Sequence, residues 1–249
     1  MGCAGTKVAP SPDVEDGQIV SLTAADRWEV SEVIGRSFAG TTTADPEWAF
    51  HWALGPAMAD RSDPARAELV GWMISNDFFG KTRMRYIGVR GPNGELQAVC
   101  VFYRSPGGKK GTGSDMCGLM SHFSKHPPPP SYKANKFVVT RLRELERVMS
   151  MSRKAHAATP HWYTLTLGVE PASQGKGLGA KLTRAVGQMA DEAGEACYLE
   201  TSGQRNRSWY QHLGYEEKDC YTVGPAPHDS PDHEPIREFY AMVRPPKGR

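Results

Sequence analysis

The stretch Val169-Glu170-Pro171-Ala172-Ser173-Gln174-Gly175-Lys176-Gly177-Leu178-Gly179-Ala180-Lys181-Leu182 constrains this chain more than any other part of it. Three glycines alternate with larger residues where an apolar, strand-like pattern gives way to a helical one. Glycine lets a backbone approach a ligand closely. The free amides of a helix's first turn, together with its dipole, attract anions. Downstream, Leu178, Leu182, Val186, Met189 and Ala193 recur at helical spacing, while Lys181, Arg184 and Gln188 fall off that stripe. Such a helix packs on a sheet with its N-terminus open.

Known phosphate loops test this reading. A P-loop needs Gly-Lys followed by Ser or Thr for magnesium, and here Lys181 lies between Ala180 and Leu182. A dinucleotide fold wants G-x-G-x-x-G directly after its strand, whereas this chain has G-x-G-x-G with Pro171 intervening. Glu200 lies near the distance expected of a ribose-binding acid, so that alternative stays open. A tight turn with no ligand would spend three glycines on a loop that gains nothing from them.

With 249 residues, 39% of them hydrophobic, the chain can bury one sizeable core. Its 30 basic and 28 acidic residues balance, so no global field selects nucleic acid or a membrane surface. No apolar run is long enough to span a bilayer, and none near Met1 resembles a secretory signal. Cys3, Cys100, Cys117, Cys197 and Cys220 form no CxxC pair, and His122, His126, His212 and His228 show no metal spacing. We therefore expect no metal, reduced thiols and a cytoplasmic location. Met1-Gly2-Cys3-Ala4-Gly5-Thr6 fits N-myristoylation with Cys3 open to palmitoylation, which would anchor the chain to a membrane; a polar tail is the alternative.

Composition and periodicity give a disordered head at 1–17 and a single domain at 18–249. Ile19 to Leu22 reads as a strand. A helix follows, capped by Thr23, with Trp28, Val30, Val33, Ile34 and Phe38 on its apolar stripe. A second helix is expected from Pro64 to Phe78. Met84–Val89 and Leu96–Tyr103 form a hairpin about Gly91-Pro92-Asn93-Gly94. Residues 105–135 read as a surface insertion containing the stiff run Pro127 to Pro130. Then come a helix (Phe137–Lys154), a strand (Trp162–Val169), a helix (Lys176–Ala193), a strand (Ala196–Thr201) and a short helix (Asn206–Leu213). Strands at Tyr215–Val223 and Ile236–Val243 finish the chain.

Gln174-x-x-Gly177-x-Gly179 resembles the acyl-CoA pyrophosphate loop of the GNAT superfamily of N-acetyltransferases. Val169-x-Pro171, Leu199-Glu200-Thr201-Ser202, Asn206 and Trp209-Tyr210-Gln211-His212-Leu213-Gly214-Tyr215 extend the resemblance across residues 160–216. His161-Trp162-Tyr163 and Arg237-Glu238-Phe239-Tyr240-Ala241-Met242 are similar to the puromycin N-acetyltransferase branch, from which Gly107 to Tyr132 departs. The resemblance implies an α/β fold: a central mixed, mostly antiparallel sheet of six to seven strands, flanked by helices on both faces. It implies direct transfer of acetyl from acetyl-CoA to a primary amine in a ternary complex, the acceptor being a small molecule. A protein lysine or N-terminus as acceptor, or a non-catalytic, membrane-tethered acyl-CoA sensor, are the alternatives.

The resemblance also assigns residues. Backbone amides of Gln174, Gly175, Lys176, Gly177, Leu178, Gly179 and Ala180 would bind the pyrophosphate, with Lys176 and Lys181 either adding charge or simply solvated. Leu167 to Val169 would hold the thioester, the Val169 amide polarising its carbonyl. Gly168 would mark a bulge that splays two strands. An amine of pKa about 10.4 needs about 4.6 kcal/mol to be neutral at pH 7, so a general base is expected. Glu200 is the first choice, or else it only fixes the loop after its strand; Tyr163, His161 and Glu170 are weaker candidates. Tyr210 matches the general acid that protonates the leaving thiolate. A phenol near 10 gives its proton to a thiol near 8.5 only uphill, so tuning or mere hydrogen bonding is required. Asn206 would bind coenzyme A or cap its helix.

Overall fold

Ala98, Cys100 and Phe102 alternate with Val99 and Val101 along one ten-residue strand, and both sets are buried. A strand apolar on both faces must lie inside a sheet covered on both sides. The computed structural model describes residues 17–39, 52, 72, 84–107, 130, 137–226 and 234–248. They form a seven-stranded sheet, ordered β1-β2-β3-β4-β5-β7-β6. The strands are β1 (Ile19–Leu22), β2 (Arg85–Arg90), β3 (Leu96–Ser105), β4 (His161–Val169), β5 (Ala196–Ser202), β6 (Glu216–Val223) and β7 (Ile236–Arg244). Only β4 and β5 pair in parallel; every other neighbouring pair is antiparallel.

Among the described residues two helices cover each face. Val30, Val33 and Ile34 of α1 (Arg27–Ala39) pack with Val99 and Val101. On the same face, Leu145 and Val148 of α2 (Val138–His156) pack with Val223, Ile236 and Phe239. Leu182, Val186 and Ala190 of α3 (Leu178–Ala193) meet Ala98, Cys100, Phe102, Cys197 and Leu199 on the other face. Tyr210 of α4 (Gln204–His212) joins them. The expected fold class is the one observed.

The signals at element ends act as expected. Thr23 and Asp26 make a capping box on the short turn before α1, with Thr23 N donating to Asp26 Oδ2 at 2.8 Å. Gly194 ends α3 at φ 66°. Several details differ. Trp28 is 59% exposed, its ring lying under the Arg27 guanidinium rather than in the core. Ala193 is exposed, and the buried side of α3 runs through Gly179, Thr183 and Gly187 instead.

The β4–β5 junction matters most for function. The two strands pair only at His161↔Ala196, Trp162↔Cys197 and Tyr163↔Tyr198, and then separate. On its other side β4 stays paired with β3, but the register jumps from Val101↔Thr166 to Phe102↔Thr164. Leu165 is therefore the extra residue of a bulge, and it falls where β4 leaves β5. The bulge expected at Gly168 is not there. Gly168 pairs regularly with Val99, and it is small because α1 crosses it: a Cβ would lie 2.8 Å from Ser37 Oγ and 3.3 Å from Ile34 Cγ1.

Gly2, Cys3 and the rest of the head up to residue 16 lie outside the described residues, as do the helix expected at 64–78 apart from Trp72 and most of the 105–135 insertion. Among the described residues no helix is long and apolar enough to cross a membrane, and no group of three metal-ligating side chains gathers.

Candidate active site

Where β4 and β5 part, a cleft of about 550 Å³ opens. Its walls include Thr164 to Leu167 and Val169 of β4, Leu199 to Ser202 of β5, the glycine loop, α4, and Phe38, Leu145 and Met149 from the α1–α2 side. The β4 backbone is oriented by its hydrogen bonds. Glu170 N donates to the Gln97 carbonyl at 2.8 Å, toward β3. Amide direction alternates along a strand, so Gly168 also faces β3, while the N–H groups of Leu167 and Val169 face the cleft. The Val169 carbonyl, on that same side, accepts from Gln174 Nε2 at 3.3 Å.

The loop at the mouth owes its shape to two glycines. Gly175 and Gly177 have φ of 78° and 79°, a region costly for other residues. A Cβ on either would meet no atom within 4 Å among the described residues beyond its chain neighbours, so packing does not demand glycine there; backbone geometry does. The first bond closing α3 runs from Lys181 N to Gly177 O at 3.0 Å, which leaves the amides of Leu178, Gly179 and Ala180 without intrahelical acceptors. Lys176 reaches back to Ser173 Oγ at 3.5 Å and is not among the cleft-lining residues. Lys181 Nζ donates to the Gly17 carbonyl, so it ties the start of the described chain to α3 and does not extend into the cleft. Arg205 is the one cation among the described lining residues.

Glu200 sits in the floor of the cleft with its side chain 2% exposed. Tyr163 Oη donates to its Oε2 at 2.6 Å and Tyr198 Oη to its Oε1 at 2.9 Å. Arg153 Nη1 is 3.8 Å from Oε1, also lies 3.3 Å from Tyr163 Oη, and is paired to Glu146 at 2.7 Å. Burial pushes the Glu200 carboxyl up to about 7, against the Arg153 charge and the two phenol hydrogen bonds, which hold it down. Such a group switches charge near neutrality. The weaker candidates are otherwise engaged. Tyr163 is spent on Glu200, and burial holds its phenol far above its ordinary range. Glu170 is paired with Arg36 at 2.6 Å. His161 lies outside the cleft lining, with Nδ1 2.7 Å from the Thr159 carbonyl.

Tyr210 and Asn206 share a face of α4 toward the cleft. The Tyr210 ring meets Trp209 and Tyr215 edge-on, with centroids 4.8 and 5.4 Å away, and burial lifts its phenol well above the ordinary range. Asn206 does not cap the helix as its first residue. The helix begins two residues earlier, at Gln204, and Asn206 Nδ2 donates to the Ser202 carbonyl at 3.0 Å, fixing the end of β5.

Of the residues assigned from the sequence to the pyrophosphate, the thioester and the two proton transfers, Leu167, Val169, Gln174, Gly175, Gly177, Leu178, Gly179, Ala180, Glu200, Asn206 and Tyr210 line this cleft, and Lys176 does not. Ser152, Arg153, Tyr198 and Arg205 were not singled out. The i, i+2 spacing of Tyr198 and Glu200 was a readable sign that they share a strand face. Nothing in the sequence points α2 toward β5.

Residues 136–217 match the family model described as Acetyltransferase (GNAT) domain. An uncharacterized N-acetyltransferase of Schizosaccharomyces pombe is 39% identical over 54 residues, which are 22% of this chain and 22% of that relative's length. Arylalkylamine N-acetyltransferase 2 of Aedes aegypti aligns over 94% of this chain and 100% of its own, with a TM-score of 0.53 at 15% identity. The polyamine N-acetyltransferase of Drosophila melanogaster aligns over 92% and 100%, also at 0.53, with 13% identity. These two structures share the fold described above.

Proposed function

We propose that this chain is an acetyl-CoA-dependent N-acetyltransferase of the GNAT kind, acting on the primary amine of a small molecule. One observation carries the reading: β4 and β5 separate after Tyr163 and Tyr198 into a cleft with open helix-start amides at one end and a buried carboxyl at the other. The residues fit an acyl-CoA. The amides at Gly177 to Ala180 suit a diphosphate. The cleft-facing N–H groups of Leu167 and Val169 suit a pantetheine amide and a thioester oxygen. The bound thioester supplies an activated acetyl carbonyl. Fold neighbours named for arylalkylamines and polyamines are compatible with a small amine acceptor.

In this reading Glu200 accepts the proton that the ammonium form of the acceptor must lose before nitrogen can attack. Val169 N–H steadies charge on the acetyl oxygen. Tyr210 meets the departing sulfur. Its phenol is raised by burial, which makes full proton transfer harder and favours a hydrogen bond to the thiolate. Tyr210→Phe is then expected to lower kcat by about 10- to 100-fold, the worth of one hydrogen bond to a charged group, and to leave acetyl-CoA affinity nearly unchanged. Unaltered turnover in that variant ends the assignment.

The activity itself is tested by thiol release from acetyl-CoA across a panel of aryl, alkyl and polyamine acceptors, with lysine-bearing and free N-terminal peptides alongside. Calorimetric titration with acetyl-CoA is the companion measurement. Saturable binding with turnover of a small amine supports the reading. Turnover of peptides alone moves the acceptor to protein, and binding without any turnover favours an acyl-CoA sensor.

A further inference from the structure

The two faces of the sheet meet the cleft with different chemistry. Glu200 and Ser202 of β5 stand opposite Ala241 and Phe239 of β7, and these positions share the face that α1 and α2 cover. On that face Met149 and Leu165 pack with Tyr163, Tyr198 and Ala241, and Leu145 packs with Phe239. Phe38, Leu145, Met149, Leu165 and Phe239 all line the cleft. Leu178 and Tyr210, by contrast, join the cluster on the α3 face, next to the glycine loop. An acyl-CoA held by that loop leaves the α1–α2 side for the second substrate. The described part of this side is a largely carbon wall beside one carboxyl.

Charge is sparse there. Among the described lining residues Glu200 is the only acid and Arg205 the only base. Arg153 Nη1 lies 3.8 Å from Glu200 Oε1, and its own partner Glu146 is 65% exposed and not among the lining residues. One ammonium therefore finds one carboxylate. A second finds none, and burying an unpaired charge against carbon is costly. We propose that the acceptor is a primary monoamine with an apolar alkyl or aryl tail, its nitrogen at Glu200 and its tail along Phe38, Leu145, Met149, Leu165 and Phe239, and that diamines and polyamines are poor acceptors because their further charge meets this wall. The proposal rests on the amine-acetylation reading and narrows its acceptor.

The proton step sharpens the distinction. The ammonium gives one proton to the Glu200 carboxylate, leaving a neutral amine and a neutral carboxylic acid. With a monoamine the pair then carries no charge, and the tail gains by leaving water, about fourfold in affinity for each methylene buried. With a diamine the far ammonium keeps its charge through the whole step. Ser37 and Ser202 line this side too, yet a hydroxyl can solvate an ammonium without neutralising it.

Hexylamine and 1,5-diaminopentane test this as a matched pair, equal in heavy atoms and differing by a terminal methyl against a terminal ammonium. In thiol-release assays of the wild-type protein with acetyl-CoA, kcat/KM is expected to be about 100-fold higher for hexylamine. It is also expected to climb about fourfold per methylene from butylamine to hexylamine, with 2-phenylethylamine accepted as well. Met149→Glu, which sets a second acid on the wall, is expected to cut the preference for hexylamine about tenfold, while calorimetry shows acetyl-CoA affinity close to wild type. Turnover of 1,5-diaminopentane as fast as hexylamine by the wild type overturns the narrowing, and so does a flat series from butylamine to hexylamine; neither result needs the variant. A folded Met149→Glu protein with an unchanged preference overturns the placement of the tail. A wild type that acetylates no small amine overturns the small-amine acetylation reading and the narrowing together, whereas turnover of small amines without preference overturns the narrowing alone.

Discussion

Glu200→Gln is expected to lower kcat by about 10²- to 10⁴-fold, the usual worth of a positioned general base, while acetyl-CoA still binds. The substitution preserves shape: a carboxamide can still meet Tyr163 and Tyr198 but cannot take up a proton. The wild-type pH profile supplies the second readout. With its carboxyl near 7, Glu200 is ionised and competent above that pH, so kcat/KM should rise through neutrality and the rise should vanish in the variant. Stability should run the opposite way. The folded state holds this proton more tightly than the unfolded chain does, so stability contributed here is full below about 4.5 and falls as pH climbs toward about 7. Denaturant unfolding of Glu200→Gln should lack that decline. A variant that keeps both rate and rising limb would return Glu200 to the plainer role of fixing the loop after β5.

Gly177→Val is expected to weaken acetyl-CoA binding by about 10- to 100-fold in calorimetry without unfolding the protein. At φ 79° a β-branched residue is strained by about 1–3 kcal/mol. Among the described residues beyond its chain neighbours no atom lies within 4 Å of the added Cβ, so nothing in the described core is displaced. The loop relieves the strain by turning its backbone, and the amides at the start of α3 then lose their common direction. Gly194→Val is the matched control. It also has a left-handed φ, 66°, with nothing within 4 Å of an added Cβ, but it lies at the other end of α3, outside the cleft lining. An unchanged dissociation constant in Gly177→Val would remove the anion-cradle reading of this loop.

Much of the site could be read from the sequence because its parts are contiguous and periodic. Gln174 to Ala180 announces a helix start, and Asn206 with Tyr210 announces one helix face. The β2–β3 turn was legible for the same local reason: Gly94, at φ 83°, is where the hairpin needs a left-handed residue. What escaped was non-local. Arg153 reaches Glu200 only because α2 crosses the β5–β7 side of the sheet, and no pattern within 138–156 encodes that partner. Gly168 misled for a related reason. Its glycine answers the close approach of Ser37 and Ile34 from α1, while the bulge falls at Leu165, a residue with no turn-forming character. Trp28 misled because spacing marks a stripe without saying how wide the buried part is.

The three-residue seam between β4 and β5 has a further consequence. A sheet ordinarily satisfies its own donors and acceptors, yet here two adjacent strands diverge while their neighbours β3 and β7 hold them in place. The fold is thus two half-sheets joined at one short suture, and the cleft-facing amides of Leu167 and Val169 have no strand partner across the gap. A molecule bridging that gap would supply partners to these amides, so ligand binding and architecture would be coupled: the half-sheets would be most firmly joined when the cleft is filled.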